Sequence, residues 1–238
     1  MRKARDESGL FLVEGLKIIT EAVQLGRSPR LLLHGAQIGS HPLFRAAVAA
    51  ATESIEVSEG VLAKISRRDN PQAVIGVFEQ AFKPAEEIDP AAARCWVALQ
   101  AVRDPGNLGA IIRTADAAGC GGVILVGDCC DPYSVEAVRA TMGSIFAVTL
   151  ARLGTEAFMD WRRGWPGAVI GTLLSSSVDF REPVYAPPTL LLMGNEQAGL
   201  PEDLAALCDV AVKIPMRGRA DSLNLAVATW IMIYAAMT

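Results

Sequence analysis

Three short stretches, each following an apolar run, carry the side chains best suited to chemistry. After "WVALQAV" comes "RDPGNLGAIIRTADAAG", with Asn107 and Arg113; after "TLLLMG" come Asn195 and Glu196; after "VAVKIP" comes "MRGRADSLNL", with Ser222 and Asn224. In the first, Asp104 is a candidate helix cap, and Leu108, Ile111, Ile112, Ala115 and Ala118 repeat at helical spacing up to Gly119. Arg113 lies off that stripe, and spacing alone favours a surface pair with Asp116 worth only ~0.2–0.5 kcal/mol. In the second, Gly194 serves either a tight turn or the close approach of a ligand to bare backbone, and the residues leave those two readings even. Pro201 with Glu202 and Asp203 then starts a helix. In the third, Asp221 or Ser222 is expected to cap the last helix, which places Ser222 and Asn224 in its first turn. Unpaired amides there favour an oxygen-rich ligand, although a plain cap is the blander reading.

Several chemistries are poorly supported. No GxxxxGK[ST] occurs, and the glycines of "GCGGVILVG" precede a strand instead of following one, so no helix start receives a pyrophosphate from them. No GxSxG is present, and the two histidines, His34 and His41, both lie near the N-terminus, so the second half must work without imidazole. The five cysteines (Cys95, Cys120, Cys129, Cys130, Cys208) form no CxxC pair, which argues for a reducing cytoplasm and against a metal site.

The elements that must position these residues follow from the pattern of apolar runs. In the first half "LFLVEG", "RLLLHG", "SIEV" and "AVIGVFEQ" alternate with helical segments, which predicts an α/β layer on a largely parallel sheet. "KPAEEIDPAAAR" breaks every periodicity and reads as a linker. The second half carries six apolar runs without alternation, as expected of strands covered on both faces, and in such sheets ligands bind beyond the carboxyl ends. The expected organisation is residues 1–83, a linker 84–94, and a second domain 95–238.

The chain has 238 residues, 51% of them hydrophobic, and a net charge of -4, with a pI of about 5.3 and mean hydropathy +0.31. That suits a globular protein of one large or two modest cores and gives no global attraction for nucleic acid. Local basic clusters do occur at Arg2, Lys3 and Arg5, at Arg67 and Arg68, at Arg162 and Arg163, and at Arg217 and Arg219; singly, each reads as solvated surface. Glu14 and Lys17 interrupt the first apolar run, so no signal segment is read there. "LNLAVATWIMIYAAM" is interrupted by Asn224 and Thr229 and falls short of the ~20 residues of a bilayer span. It is expected to be a buried helix, with a partner subunit covering some of its apolar surface. Cytoplasmic location without membrane attachment is the expectation.

Taken together, the three stretches resemble the signature of the SpoU-type (TrmH-like) RNA 2'-O-ribose methyltransferases of the SPOUT superfamily. "NLGAIIRTADAAG" resembles their first motif, "LLLMGNEQAGLP" their second and "IPMRGRADSLNLAVA" their third, with "RATMGSIFAV" matching a further segment between them. "FLVEGLKIITEA" is similar to the substrate-binding module that often precedes such domains. The resemblance implies a C-terminal trefoil-knotted methyltransferase domain behind a smaller N-terminal α/β domain that binds RNA, although knots are rare on topological grounds. It implies S-adenosylmethionine bound mainly by backbone around Gly194, Ile214 and Leu223, with Met193 and Met216 beside them, and no metal. By the same carry-over Asn107, Arg113, Glu196, Ser222 and Asn224 form the catalytic set. Arg113 is expected to bind phosphate and stabilise oxyanion character, Ser222 and Asn224 to orient the ribose, and Glu196 to tether the loop or the arginine. Gln197 and Ala198 stand where the family carries a glycine and a variable residue, which implies a stiffer loop.

The resemblance further implies a homodimer and an RNA substrate, ribosomal before transfer RNA. A transfer-RNA ribose methyltransferase and an RNA-binding or assembly factor without turnover are the alternatives of the same fold. An unrelated α/β enzyme using a nucleotide is weakest, for want of a phosphate loop.

Overall fold

A computed structural model describes residues 2–39, 41–67 and 70–238; the expected Arg67–Arg68 cluster lies partly outside them, at Arg68. The chain divides into two compact units. The first comprises residues up to 81 together with 131–147, the second residues 82–130 and 148–238.

The first unit holds a four-stranded sheet of order β1-β4-β2-β3, formed by β1 (Leu10–Glu14), β2 (Leu31–His34), β3 (Glu53–Glu56) and β4 (Val74–Glu79). The helices α1 (Arg2–Ser8), α2 (Leu16–Gln24), α3 (Pro42–Ala50) and α4 (Glu59–Ser66) connect or precede its strands. The expected largely parallel sheet is corrected here: β4 pairs antiparallel with both β1 and β2, and only β2 with β3 is parallel. Strand-helix alternation leads β1 and β2 in the same direction, but β4, arriving last, inserts between them and runs against both.

Residues 131–147 come from the second half of the sequence yet pack into this unit. They hold α6 (Val135–Thr141), which lies against β1. Arg139 donates to Glu14 Oε1 at 2.6 Å and to the Ser66 carbonyl at 2.8 Å, and the Glu14 side chain retains only 7% of its exposure. Arg5 similarly reaches Asp131 at 2.6 Å. "RATMGSIFAV" thus supplies through Arg139 a cation to a carboxylate that would otherwise be buried without a partner.

The second unit is a six-stranded sheet of order β10-β8-β9-β5-β6-β7. Its strands are β5 (Cys95–Gln100), β6 (Gly122–Val126), β7 (Thr149–Leu153), β8 (Val169–Thr172), β9 (Thr189–Met193) and β10 (Val210–Val212), and every pairing is parallel. β5, β6 and β9 are buried almost throughout, as continuous apolar runs require of strands covered on both faces. One face carries Trp96, Ala98, Ile124, Leu190 and Leu192 against Phe158 and Trp165, from α7 (Thr155–Arg162) and the turn after it, and Leu204 of α8 (Glu202–Ala205). The glycines before β6 make room for this cluster: a Cβ on Gly121 would stand 2.3 Å from the Trp96 ring.

The other face carries α5 (Pro105–Ala118) and α9 (Leu225–Met237), which pack on each other, with α9 also on β5 and β9. α5 starts and stops where the sequence predicts: Asp104 accepts from Asn107 N at 2.6 Å, and Gly119 ends the helix at φ 72°. The chain leaves β5 towards β6 and leaves β9 the other way, towards β8 and β10, so the β5/β9 boundary is a topological switch point. No helix among the described residues is long and apolar enough to cross a membrane.

Replacing Arg139 by alanine leaves Glu14 buried without its cation and is expected to lower the stability of the first unit by about 3 kcal/mol, measured as a shift in the urea unfolding midpoint at unchanged slope.

Candidate functional site

Two loops face each other across the switch point. From β9 the chain turns at Gly194, and the loop closes on itself through paired hydrogen bonds between Asn195 and Gly199, each 3.0 Å. Asn195 organises it: Oδ1 accepts from Gln197 N at 2.7 Å and Ala198 N at 3.1 Å, while Nδ2 donates to the Ala101 carbonyl after β5 at 2.8 Å. Asn195, singled out by type in the sequence, thus forms an Asx turn. Ala101 itself adopts φ 46°, a left-handed conformation held by its amide on Val126 O and its carbonyl on Asn195.

Of the two readings of Gly194, the tight turn has a direct cause in the structure. A Cβ there would lie 2.2 Å from Gly199 C and from Leu200 N. The side chain is missing so that the loop can fold back on its own strand, and the space is already filled by protein.

Glu196 reaches across to the start of α5. Its carboxylate accepts from Arg103 N at 3.2 Å, Asp104 N at 3.3 Å and Asn107 Nδ2 at 3.2 Å. Burial pushes its pKa up, but hydrogen bonds from its own amide, from Asn107 and from the amides of Arg103 and Asp104 outweigh that and hold it below the usual carboxylate range. Asn107 passes the connection on, its Oδ1 accepting from Asn224 Nδ2 at 2.9 Å. Asn224 in turn caps α9, accepting from Ala226 N at 2.9 Å and Val227 N at 3.3 Å. The last helix therefore begins after Asn224, and the cap expected at Asp221 or Ser222 is corrected: the amide oxygen of Asn224 reaches the first free N–H groups, whereas Ser222 Oγ donates to Asp221 at 3.0 Å.

The structure thus joins Asn107, Glu196 and Asn224 in one hydrogen-bonded chain spanning all three stretches. Ser222 lies two residues before its end, outside the chain of bonds. Arg113 lies six residues beyond Asn107 on α5, exposed and in no hydrogen bond or ion pair among the described residues, so its charge is not spent on Asp116.

Of the residues expected around a cofactor, Met193 ends β9 and Gly194 follows it, Ile214 and Met216 follow β10, and Leu223 precedes α9. Thr172 closes β8 opposite Val212 of β10, and its hydroxyl lies 3.7 Å from Met193 Sδ at the end of β9. Met193 and Gly194 are buried, Ile214 and Met216 half-buried, and Leu223 is exposed. Between β10 and α9, the peptide groups of residues 214–222 make no hydrogen bond to the rest of the chain among the described residues. Beside the apolar Met193, Ile214 and Met216, that run of free donors and acceptors fits an adenosine, whose ring needs apolar faces and whose edge and ribose need peptide partners.

Comparison with known proteins agrees with this arrangement. Residues 94–234 match the SpoU rRNA Methylase family, and residues 1–76 match the MRM3-like substrate binding domain. The chain is 36% identical to a 23S rRNA (uridine(2479)-2'-O)-methyltransferase of Streptomyces viridochromogenes, over 99% of this chain and 85% of that protein. It is 30% identical to the 23S rRNA (guanosine(2553)-2'-O)-methyltransferase RlmP of Bacillus subtilis, over 98% and 90% of the two. Its fold superposes on the crystal structure of an AdoMet-bound rRNA methyltransferase from Sinorhizobium meliloti with a TM-score of 0.92 at 50% identity, covering 99% of this chain and 90% of that one. With a switch-point site made of three joined loops and a family match over most of the sheet that carries them, the chain belongs to the SpoU rRNA methylase family.

Proposed function

We infer that the protein methylates a ribose 2'-hydroxyl of RNA, ribosomal RNA before transfer RNA, with S-adenosylmethionine as methyl donor. The single observation that carries this reading is the hydrogen-bonded chain Glu196–Asn107–Asn224, which holds the starts of α5 and α9 against the β9 loop. Similarity over nearly all of this chain to two 23S rRNA 2'-O-methyltransferases supports the ribosomal branch.

The cofactor would rest against Met193, Ile214, Met216 and Leu223, on the free peptide groups of the 214–222 segment and the turn at Gly194. Bound there, it supplies an activated methyl group on a sulfonium. The protein's task is alignment of the 2'-oxygen, and positioning of this kind contributes up to ~7–11 kcal/mol in favourable systems. Arg113, exposed and unpaired, is available to a phosphate beside the target ribose and to charge developing on the 2'-oxygen. As a guanidinium it stays protonated, so it orients and stabilises without taking the proton. Glu196 is already occupied by four donors, which suits a tether of the loop more than a base. Ser222 and Asn224 would face the ribose of the bound cofactor or substrate, and Gln197 and Ala198, in the loop that turns back at Gly199, would flank it.

The first unit is read as the RNA-binding part and the second as the methyltransferase. The order β10-β8-β9-β5, with α9 returning onto β5 and β9, is consistent with a chain that threads its C-terminal segment as a trefoil knot. The working form is read as a homodimer in the cytoplasm. α9 leaves Val227 at 42%, Trp230 at 53% and Tyr234 at 47% exposure, one stripe at helical spacing continued by Leu223. A second copy covers such a stripe best, because the same residues meet themselves across a two-fold axis.

Mapping of 2'-O-methyl marks in total RNA from cells with and without the protein tests the activity: one ribosomal position is expected to lose its mark, and persistence of every mark with intact cofactor binding would favour a binding factor without turnover. Arg113→Ala is expected to lower kcat for methyl transfer by about 10²-fold or more while leaving the cofactor Kd within about twofold by calorimetry. Light scattering should give about twice the 25.2 kDa of one chain, falling to a single chain's mass for Trp230→Glu.

A further inference from the structure

A cavity lies wholly within the first unit, at the end of its sheet where β2 and β3 finish and β4 begins. It has a volume of about 630 Å3, within the range of pockets that hold small ligands. Three backbone segments build it: Gly35–Gln37 after β2, Glu56–Glu59 after β3, and Asn70–Ala73 before β4. They are tied together by Gly35 N on the Ala73 carbonyl at 3.0 Å and Val57 N on the His34 carbonyl at 2.8 Å. Leu62, 1% exposed, with Val57 and Pro71, gives an apolar wall.

The rim is polar and of a definite kind. Among the described residues Glu56 and Glu59 are its charged groups, Gln37 donates to Glu59 at 2.8 Å, and Asn70 and Gln72 add amides. Ser58 precedes α4 without capping it through its side chain, which leaves the first amides of that helix as further donors. Two carboxylates repel a phosphate, so the cavity does not suit the RNA backbone. It suits a flat uncharged group that offers paired N–H donors to a carboxylate and acceptors to nearby amides, with one face on an apolar wall. Among nucleobases guanine has that pattern: donors on its pairing edge, acceptors at O6 and N7.

We propose that this cavity receives an unpaired guanine of the RNA substrate, Glu59 accepting from its pairing edge and Gln72 and the start of α4 meeting its acceptors. The proposal rests on the reading of the protein as an RNA methyltransferase and adds a recognition site apart from the methyl-transfer residues. It gives an acidic chain a means of choosing RNA by base instead of by charge.

The test is titration of the 15N-labelled full chain with two single-stranded pentaribonucleotides, UUGUU and UUUUU, followed by TROSY spectra. The expected result is saturable shifts of the Gln37, Glu59, Gly60 and Gln72 amides with UUGUU only, weakened about tenfold in affinity by Glu59→Gln and unchanged by Glu53→Gln on the neighbouring strand. Absence of shifts at the cavity, equal response to UUUUU, or indifference to Glu59→Gln overturns it. Calorimetry with S-adenosylmethionine on the same sample, together with the RNA mapping above, reports on the methyl-transfer reading separately, so the two can fail independently.

Discussion

The arrangement of the second unit depends on one carboxylate. Glu196 stands at the end of a strand where a loop folds back on itself, and it satisfies the amides of Arg103 and Asp104 before α5 together with the Asn107 side chain. Without an acceptor there, the turn after β5 would present donors to no protein partner, and the loop after β9 would have no anchor across the switch point. Asn107 then carries the constraint to Asn224, so the positions of two helix starts and one loop are set by a few hydrogen bonds. The sheet supplies the rigid frame; these bonds decide what the frame holds at its carboxyl edge.

Much of that frame was legible in the sequence. The unalternating apolar runs of the second half specified a sheet covered on both faces, and Asp104 and Gly119 marked both ends of α5. What escaped was what depends on distant residues. Local alternation does not say that β4 inserts antiparallel between β1 and β2. Nor does it reveal that residues 131–147 leave the second unit to bury Glu14 beside Arg139, since that pairing links positions 125 residues apart. At the site, the polar residues were identifiable by type, but their bonding was not. Asp221, Ser222 and Asn224 are all competent caps, and only the path of the backbone selects Asn224. Gly194 was left between a tight turn and the approach of a ligand, and the peptide between Gly199 and Leu200 is what makes the turn need a glycine.

The functional reading joins this geometry to an acidic composition that gives no general attraction for RNA. On the proposed reading, recognition would come from particular groups: an unpaired arginine on α5 for phosphate, free peptide groups between β10 and α9 for the cofactor, and a carboxylate-rimmed cavity in the first unit for a base. Each is a local solution, and none needs a broad basic face. Specificity would come from the number of such contacts made at once, which fits a protein modifying one position in a long RNA.

A double-mutant cycle on kcat/KM for methyl transfer tests the central constraint most directly, with Asn107→Ala, Asn224→Ala and the pair. If one hydrogen-bonded chain sets the geometry, breaking it at either link does most of the damage, and the double variant should lose little more than the worse single one. Losses that multiply, as for independent residues, would contradict the account.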